Sequence, residues 1–352
     1  MSYGKLNFKR ILNRLILFVV LGVGAHIIFV LSTTERSLLN YLGELSILHL
    51  LLILILIICP WLGYALRIRM WSGFLNEKIS YADSVRVVVT ADVASALSPT
   101  AVGGAPVKAA LLLNRGYAHG SVGFMLTYGV IEDVVFYTTG IVLAGFFSAG
   151  LLPDIWFQFS SFISENINVI AICFILIVLY LFMVRIDLIP SYLKITHYFP
   201  QKIKQIISST KDKFNKSLKE MKSNFTLVWQ HGKLRMMVSF TVLLMQWMAK
   251  FSVLVVILHA FKIDFDTIQI YIRQWVIFVT MLFIPTPGAS GGAEASFLLI
   301  FGKSIPSDIA FLVVSVWRLF TYYFILLMAV VLYTILSYFV SNEEEIVISD
   351  VT

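Results

Sequence analysis

Charge and cysteine are scarce in this 352-residue chain: 13% of its residues are charged and only Cys59 and Cys173 are cysteine. Two thiols set in apolar stretches build no disulfide framework and match no metal-ligand spacing, so both read as packing residues. The six histidines are scattered, and neither a Walker A sequence nor HExxH occurs. ATP-driven pumping and zinc hydrolysis therefore have no support, and neither a cofactor nor a metal is expected.

What fills the chain instead is hydrocarbon. It is 59% hydrophobic with a mean hydropathy of +0.87, more apolar surface than one soluble core can hide. Six runs are long enough for helices that cross a layer of about 30 Å: residues 11–31, 47–66, 121–150, 167–184, 236–260 and 310–338. The first is too long for a signal peptide and lacks a small-residue cleavage site, so it reads as an anchor.

Two further apolar stretches are interrupted. Pro99-Thr100-Ala101-Val102-Gly103-Gly104-Ala105 recurs 188 residues later as Pro287-Gly288-Ala289-Ser290-Gly291-Gly292-Ala293, matching at Pro, Ala, Gly, Gly and Ala. Residues 84–97 lead into the first break and 106–114 follow it; residues 268–284 and 293–301 frame the second. A helix of nine residues rises only about 14 Å and cannot cross alone. Each pair therefore reads as a re-entrant helical hairpin, because unwound backbone is tolerated at membrane depth only where it lines a cavity.

Charge sets the topology. Lys5, Lys9, Arg10 and Arg14 put the amino terminus in the cytoplasm, and Arg67, Arg69 and Lys78 place the end of the second span there. Residues 151–166 contain no Lys or Arg and are expected outside, whereas residues 185–235 carry nine lysines and are expected inside. The first hairpin then enters from the cytoplasm and the second from outside, which makes the halves inverted. The expected architecture is an all-α polytopic membrane protein with six spans and two re-entrant hairpins in an inverted repeat. It forms one domain over 1–352, with a first half 1–184, a basic cytoplasmic linker 185–235 and a second half 236–352. Both termini are cytoplasmic, in the cell (inner) membrane.

The net charge of +7 is concentrated in that linker, so anionic inner-leaflet lipid rather than nucleic acid is the expected partner. Its apolar residues Ile203, Ile206, Ile207, Phe214, Leu218 and Met221 fall on a roughly helical period. Both an amphipathic helix lying on the leaflet and a solvated connector fit them.

Ionisable residues deep in apolar sequence are expensive and usually pair or line a polar pathway. They are Asp92, Lys108, Glu132, Asp133, Lys250, Glu294 and Arg318. Pro106 suits a helix start after Gly103-Gly104, and Lys108 in that first turn adds charge to free N–H groups, a setting for phosphate. The alternative for Lys108 is snorkelling to the surface. Lys250 lies too far from either end of its span to reach water. Arg318 has a fork suited to phosphate, or forms a structural bridge to Glu132 or Asp133. Glu294 stands at the place equivalent to Pro106, where a helix dipole stabilises an acid and burial suits proton coupling.

The stretch SPTAVGGAPVKAALLLNRG from Ser98 to Gly116, the span with Glu132, and IPTPGASGGAEASF from Ile284 to Phe297 resemble the lysylphosphatidylglycerol synthase transmembrane-region family of flippase-like proteins. The resemblance implies the membrane half of a multiple peptide resistance factor, which moves aminoacylated phosphatidylglycerol between leaflets. It also implies a substrate among phospholipids, isoprenoid-linked carriers and glycolipids. About a dozen residues follow the last expected span, so no synthase domain and no lysyl-lipid synthesis are expected.

The expected function is therefore translocation of an anionic phospholipid or lipid-linked headgroup by a protein that is not an enzyme. Lys108, Lys250, Arg318, Gly103, Gly104, Gly291 and Gly292 bind the headgroup, and Glu132, Asp133, Glu294 and Asp92 balance charge or carry protons. The alternatives are an integral membrane lipid-modifying enzyme, an accessory subunit presenting lipid to a transferase partner, and a small-solute or ion carrier.

Overall fold

The computed structural model describes residues 38–98, 103–147, 201–282, 284, 289, 291–302, 305–306, 308–329 and 331–332. The expected spans at 11–31 and 167–184, the outside loop and both termini lie outside the described residues. What is described is helical throughout. After a 3-10 turn at Leu38–Glu44 come α1 (Ile47–Phe74), α2 (Tyr81–Leu97), α3 (Gly104–Asn114), α4 (His119–Phe147), α5 (Gln201–His231), α6 (Lys233–Ala260), α7 (Thr267–Met281), α8 (Gly292–Phe301) and α9 (Ala310–Arg318). The last continues through a π-helical turn, Leu319–Phe324, into further α-helix. Among the described residues, four helices are long and apolar enough to cross a membrane: α1, α4, α6 and the stretch Ala310–Ala329. At 28 residues, α1 is about 42 Å long.

Local chemistry sets the helix ends. The Ser46 and Ser80 hydroxyls cap α1 and α2, accepting from His49 N and Asp83 N, and the Asp266 carboxylate caps α7. Both expected interruptions are present: α2 stops before the first glycine pair and α3 resumes at Gly104, while α7 stops before the second and α8 resumes at Gly292.

The helix order is duplicated. Starts at residues 47, 81, 104 and 119 recur at 233, 267, 292 and 310, each set being long helix, medium helix, short helix, long helix. The two leading helices run antiparallel along each other. The rings of His49 and His259 lie 5.9 Å apart, Gln246 Nε2 donates to the Pro60 carbonyl at 2.6 Å, and Arg67 Nε donates to Ser239 Oγ at 3.2 Å. Their crossing therefore falls beside Trp61 and Trp247.

In lipid the hydrophobic effect does not distinguish helix from hydrocarbon, so close packing and internal hydrogen bonds decide which helices associate. Aromatic rings supply much of the packing. Phe136 of α4 stacks on Trp247 of α6 at 5.0 Å and leans on Trp275 of α7 at 5.1 Å, and Phe251 and Phe278 complete the cluster. Buried Gln274 donates to the Phe251 carbonyl at 3.0 Å, fastening α7 to α6.

Residues 201–231 of the expected linker form one continuous helix. The carboxyl-terminal part of α5 docks on α4, with Phe225 edge-on to Phe124 at 4.8 Å and Val228 buried. The sixth expected span differs too, since its regular winding is interrupted immediately after Arg318.

Candidate functional site

Lys108 and Lys250, distant in sequence, come together on the wall of one cavity of about 330 Å³ between α1, α2, α3, α4 and α6. Pro60, Trp61 and Tyr64 of α1 and Gln246 and Trp247 of α6 line it at the crossing, with Asp92, Gly104 and Asp133 on the remaining walls. A second chamber of about 210 Å³ adjoins it, walled by Tyr137, Phe278, Trp317, Arg318 and Tyr322. Asp92, Ser95, Trp247, Lys250, Thr321 and Ile325 belong to both, so Asp92 and Lys250 stand where the chambers meet.

The four deep cations divide into two kinds. Arg67, 6% exposed, pairs with Glu132 of α4 and also reaches Ser239 and Gln246 of α6. Arg318, 2% exposed, donates from Nε to Glu294 Oε1 at 2.8 Å and lies over the Tyr322 ring. These arginines are neutralised by carboxylates. Neither lysine has a hydrogen-bond or ion-pair partner among the described residues. The Lys250 ammonium lies 4.8 Å from the Phe278 ring centroid and 5.0 Å from that of Trp247, and the Lys108 ammonium 5.5 Å from that of Tyr64. Aromatic faces attract cations but leave all three N–H donors of each ammonium unspent.

The remaining acids are also only partly engaged. Asp92 Oδ2 accepts from Trp61 Nε1 at 2.9 Å, and Asp133 Oδ1 is buried without a hydrogen-bond partner. The cavity thus presents two ammoniums and two carboxylates to whatever enters.

Two sequence expectations are corrected. Arg318 bridges to Glu294, 24 residues earlier, and not to Glu132 or Asp133. Arg67, read as a cytoplasmic flanking charge, is buried, because Glu132 projects from α4 to meet it.

The two glycine pairs, alike in spelling, work differently. At the first break Gly103 has an ordinary φ of −63°, and Ser98 Oγ accepts from its N–H. Glycine is needed there for space: a Cβ on Gly104 would overlap the Ser95 hydroxyl and the Ala91 carbonyl of α2. At the second break Gly291 has φ +82°, which L side chains disfavour, and its N–H donates to Glu294 Oε2 at 2.7 Å. Gly104 lines the larger chamber, whereas neither Gly291 nor Gly292 lines a described one.

Tyr64, Trp61, Gln246 and Trp247 complete the cavity and were not singled out from sequence. A signal for them existed. Trp61 with Tyr64 and Trp247 with Lys250 show the same three-residue spacing at corresponding places of α1 and α6.

Comparison with known proteins adds a frame to this geometry. A family model described as the lysylphosphatidylglycerol synthase TM region matches residues 8–329. A UPF0104 membrane protein of Archaeoglobus fulgidus is 27% identical over 274 residues, covering 75% of this chain and 79% of the relative.

Proposed function

The chain belongs to the lysylphosphatidylglycerol synthase TM region family, a membrane-protein family linked to lipid handling, and on that footing we propose that it translocates an anionic phospholipid or lipid-linked headgroup between leaflets. The observation that carries this is the pair of ammoniums without hydrogen-bond or ion-pair partners among the described residues, Lys108 and Lys250, in one cavity whose walls include the spanning-length helices α1, α4 and α6. A phosphate is the ligand they suit, since it accepts several charge-assisted hydrogen bonds at once. The amino-terminal end of α3, at Gly104, adds backbone donors to the same wall.

In this reading the two helix–break–helix pairs, α2–α3 and α7–α8, are re-entrant hairpins of inverted halves, and residues 11–31 and 167–184 supply the remaining two of six spans. The antiparallel run of α1 against α6 supports the inversion, because equivalent helices of an inverted repeat must point oppositely. Both termini face the cytoplasm of the cell membrane. The headgroup enters the larger chamber, exchanges its hydration for Lys108 and Lys250, and passes Asp92 and Lys250 into the smaller one. Arg318, oriented by Glu294, receives it there while the acyl chains stay in lipid. Asp92 and Asp133 offset the lysine charge when the cavity is empty. Glu294 spends one oxygen on Gly291 and the other on Arg318, so charge balance describes it better than proton transfer. The protein acts in this scheme as a transporter, not an enzyme.

Reconstitution into liposomes with a trace of fluorescent phosphatidylglycerol, quenched from outside by dithionite, tests the proposal. The expected result is quenching of inner-leaflet probe at a rate that Lys108→Ala and Lys250→Ala each reduce at least tenfold. An active protein whose rate is unchanged in the double variant removes the cavity from the mechanism. A protein that retains phosphatidylglycerol but never moves it is a lipid-presenting subunit instead. A rate that follows an imposed pH gradient restores proton coupling through Glu294.

A further inference from the structure

An open cleft lies apart from the central chambers. About 500 Å³ in volume, it sits at the Phe74 end of α1, where the chain turns into α2 and the end of α3 comes alongside. Arg69, Lys78 and Arg115 line it together with the carboxylates of Glu77 and Asp83. None of these residues lines either central chamber.

The carboxylates are already committed to the protein's own donors. Asp83 accepts from the Ser80 hydroxyl at 2.8 Å, from Arg86 at 3.3 Å and from Arg115 at 3.1 Å, and Glu77 accepts from the Ala118 N–H at 3.0 Å. Arg115 is held a second time by the Leu111 carbonyl at 3.2 Å, so its planar fork is fixed in place. Arg69 and Lys78 have no hydrogen-bond or ion-pair partner among the described residues. The cleft therefore combines occupied acids, one anchored guanidinium and two solvent-exposed cations, Arg69 and Lys78, whose donors are open to an incoming anion. The geometry points to a second, separate anion site in which Arg69, Lys78 and Arg115 take a phosphate group, either of an anionic lipid headgroup or free in solution. Guanidinium forks match phosphate oxygens in pairs, and an ammonium supplies a compact charge beside them. On the topology that the charge distribution gives, the site opens at the cytoplasmic membrane surface, where both sources are available.

The site does not depend on translocation, and its test is binding. The full-length protein in detergent is titrated with inorganic phosphate by calorimetry, and copurified lipid is counted by native mass spectrometry after incubation with phosphatidylglycerol or phosphatidylcholine. Two variants are compared with wild type: Arg69→Gln/Lys78→Gln, and Gly73→Glu, which places a carboxylate on the cavity wall where an added Cβ meets nothing within 4 Å. Each should weaken the anion at least about tenfold, while Lys108→Ala/Lys250→Ala leaves it intact. Phosphate binding lost in both variants assigns a soluble ligand. One fewer retained phosphatidylglycerol, with no phosphate heat, assigns a headgroup. Equal retention of phosphatidylcholine and phosphatidylglycerol, or anion binding unchanged in both variants, overturns the site.

Discussion

Replacing Glu132 by glutamine keeps the shape of α4 and strands the Arg67 guanidinium, a residue only 6% exposed, without its counter-charge. Removing one partner of a buried ion pair typically destabilises by roughly 3–5 kcal/mol. Here Ser239 Oγ at 3.2 Å and Gln246 Oε1 at 3.5 Å still accept from Arg67, and the new amide oxygen accepts weakly, so the lower end applies. About 3 kcal/mol is a hundredfold shift toward the unfolded state and a fall in melting temperature of roughly 5–10 °C. The assay is thermal unfolding of detergent-purified protein, read as loss of the monodisperse size-exclusion peak. The decisive arm is Arg67→Met/Glu132→Leu, which removes both charges at similar volume and should recover most of the loss, because the penalty lies in the orphaned charge and not in the missing attraction. If Glu132→Gln melts with wild type, or the double variant is as unstable as the single, the pair is not the buried clasp between α1 and α4 described above. The exposed Lys262–Glu44 pair, with side chains 75% and 45% exposed, is the control, and its loss should change nothing measurable.

Gly291→Ala forces a methyl group into φ +82° and should lower stability by about 1–2 kcal/mol in the same melt. Gly104→Ala fails for a different reason, overlapping Ser95 and Ala91, and should reduce lipid retention as α3 is pushed away from α2. Asp83 gives a pH signature: burial works against its ionisation, but the Ser80 hydroxyl and the Arg115 and Arg86 guanidiniums outweigh that and hold its pKa below the ordinary 3.8. Stability from the ionised group is therefore present above the unfolded value and lost as pH falls through the lower folded one. Wild type should melt above Asp83→Asn at neutral pH, with the two curves converging in acid below 3.8; curves that stay apart there contradict the assignment.

The membrane class and the two interrupted helix pairs were legible in the sequence because each is a one-dimensional property: composition and segment length. The partners were not. Arg67 sits among apolar residues near a helix end, a place that equally suits a flanking charge and a buried one, and only the tertiary approach of Glu132 decides between them. Glu294 and Arg318 meet across 24 residues for the same reason. The glycine pairs repeat in spelling but not in torsion, since a letter records neither φ nor the neighbour that excludes a Cβ.

The wide turn at Leu319–Phe324 changes how the two halves compare. An i→i+5 winding spends one more residue per cycle than its α counterpart, so everything after it is set back by about 100° about the screw axis. Ile325 and Leu326, which line the smaller chamber, face it in that shifted phase. The corresponding helix α4 keeps its regular winding throughout, so the last long helices of the two halves differ in winding from Arg318 onward.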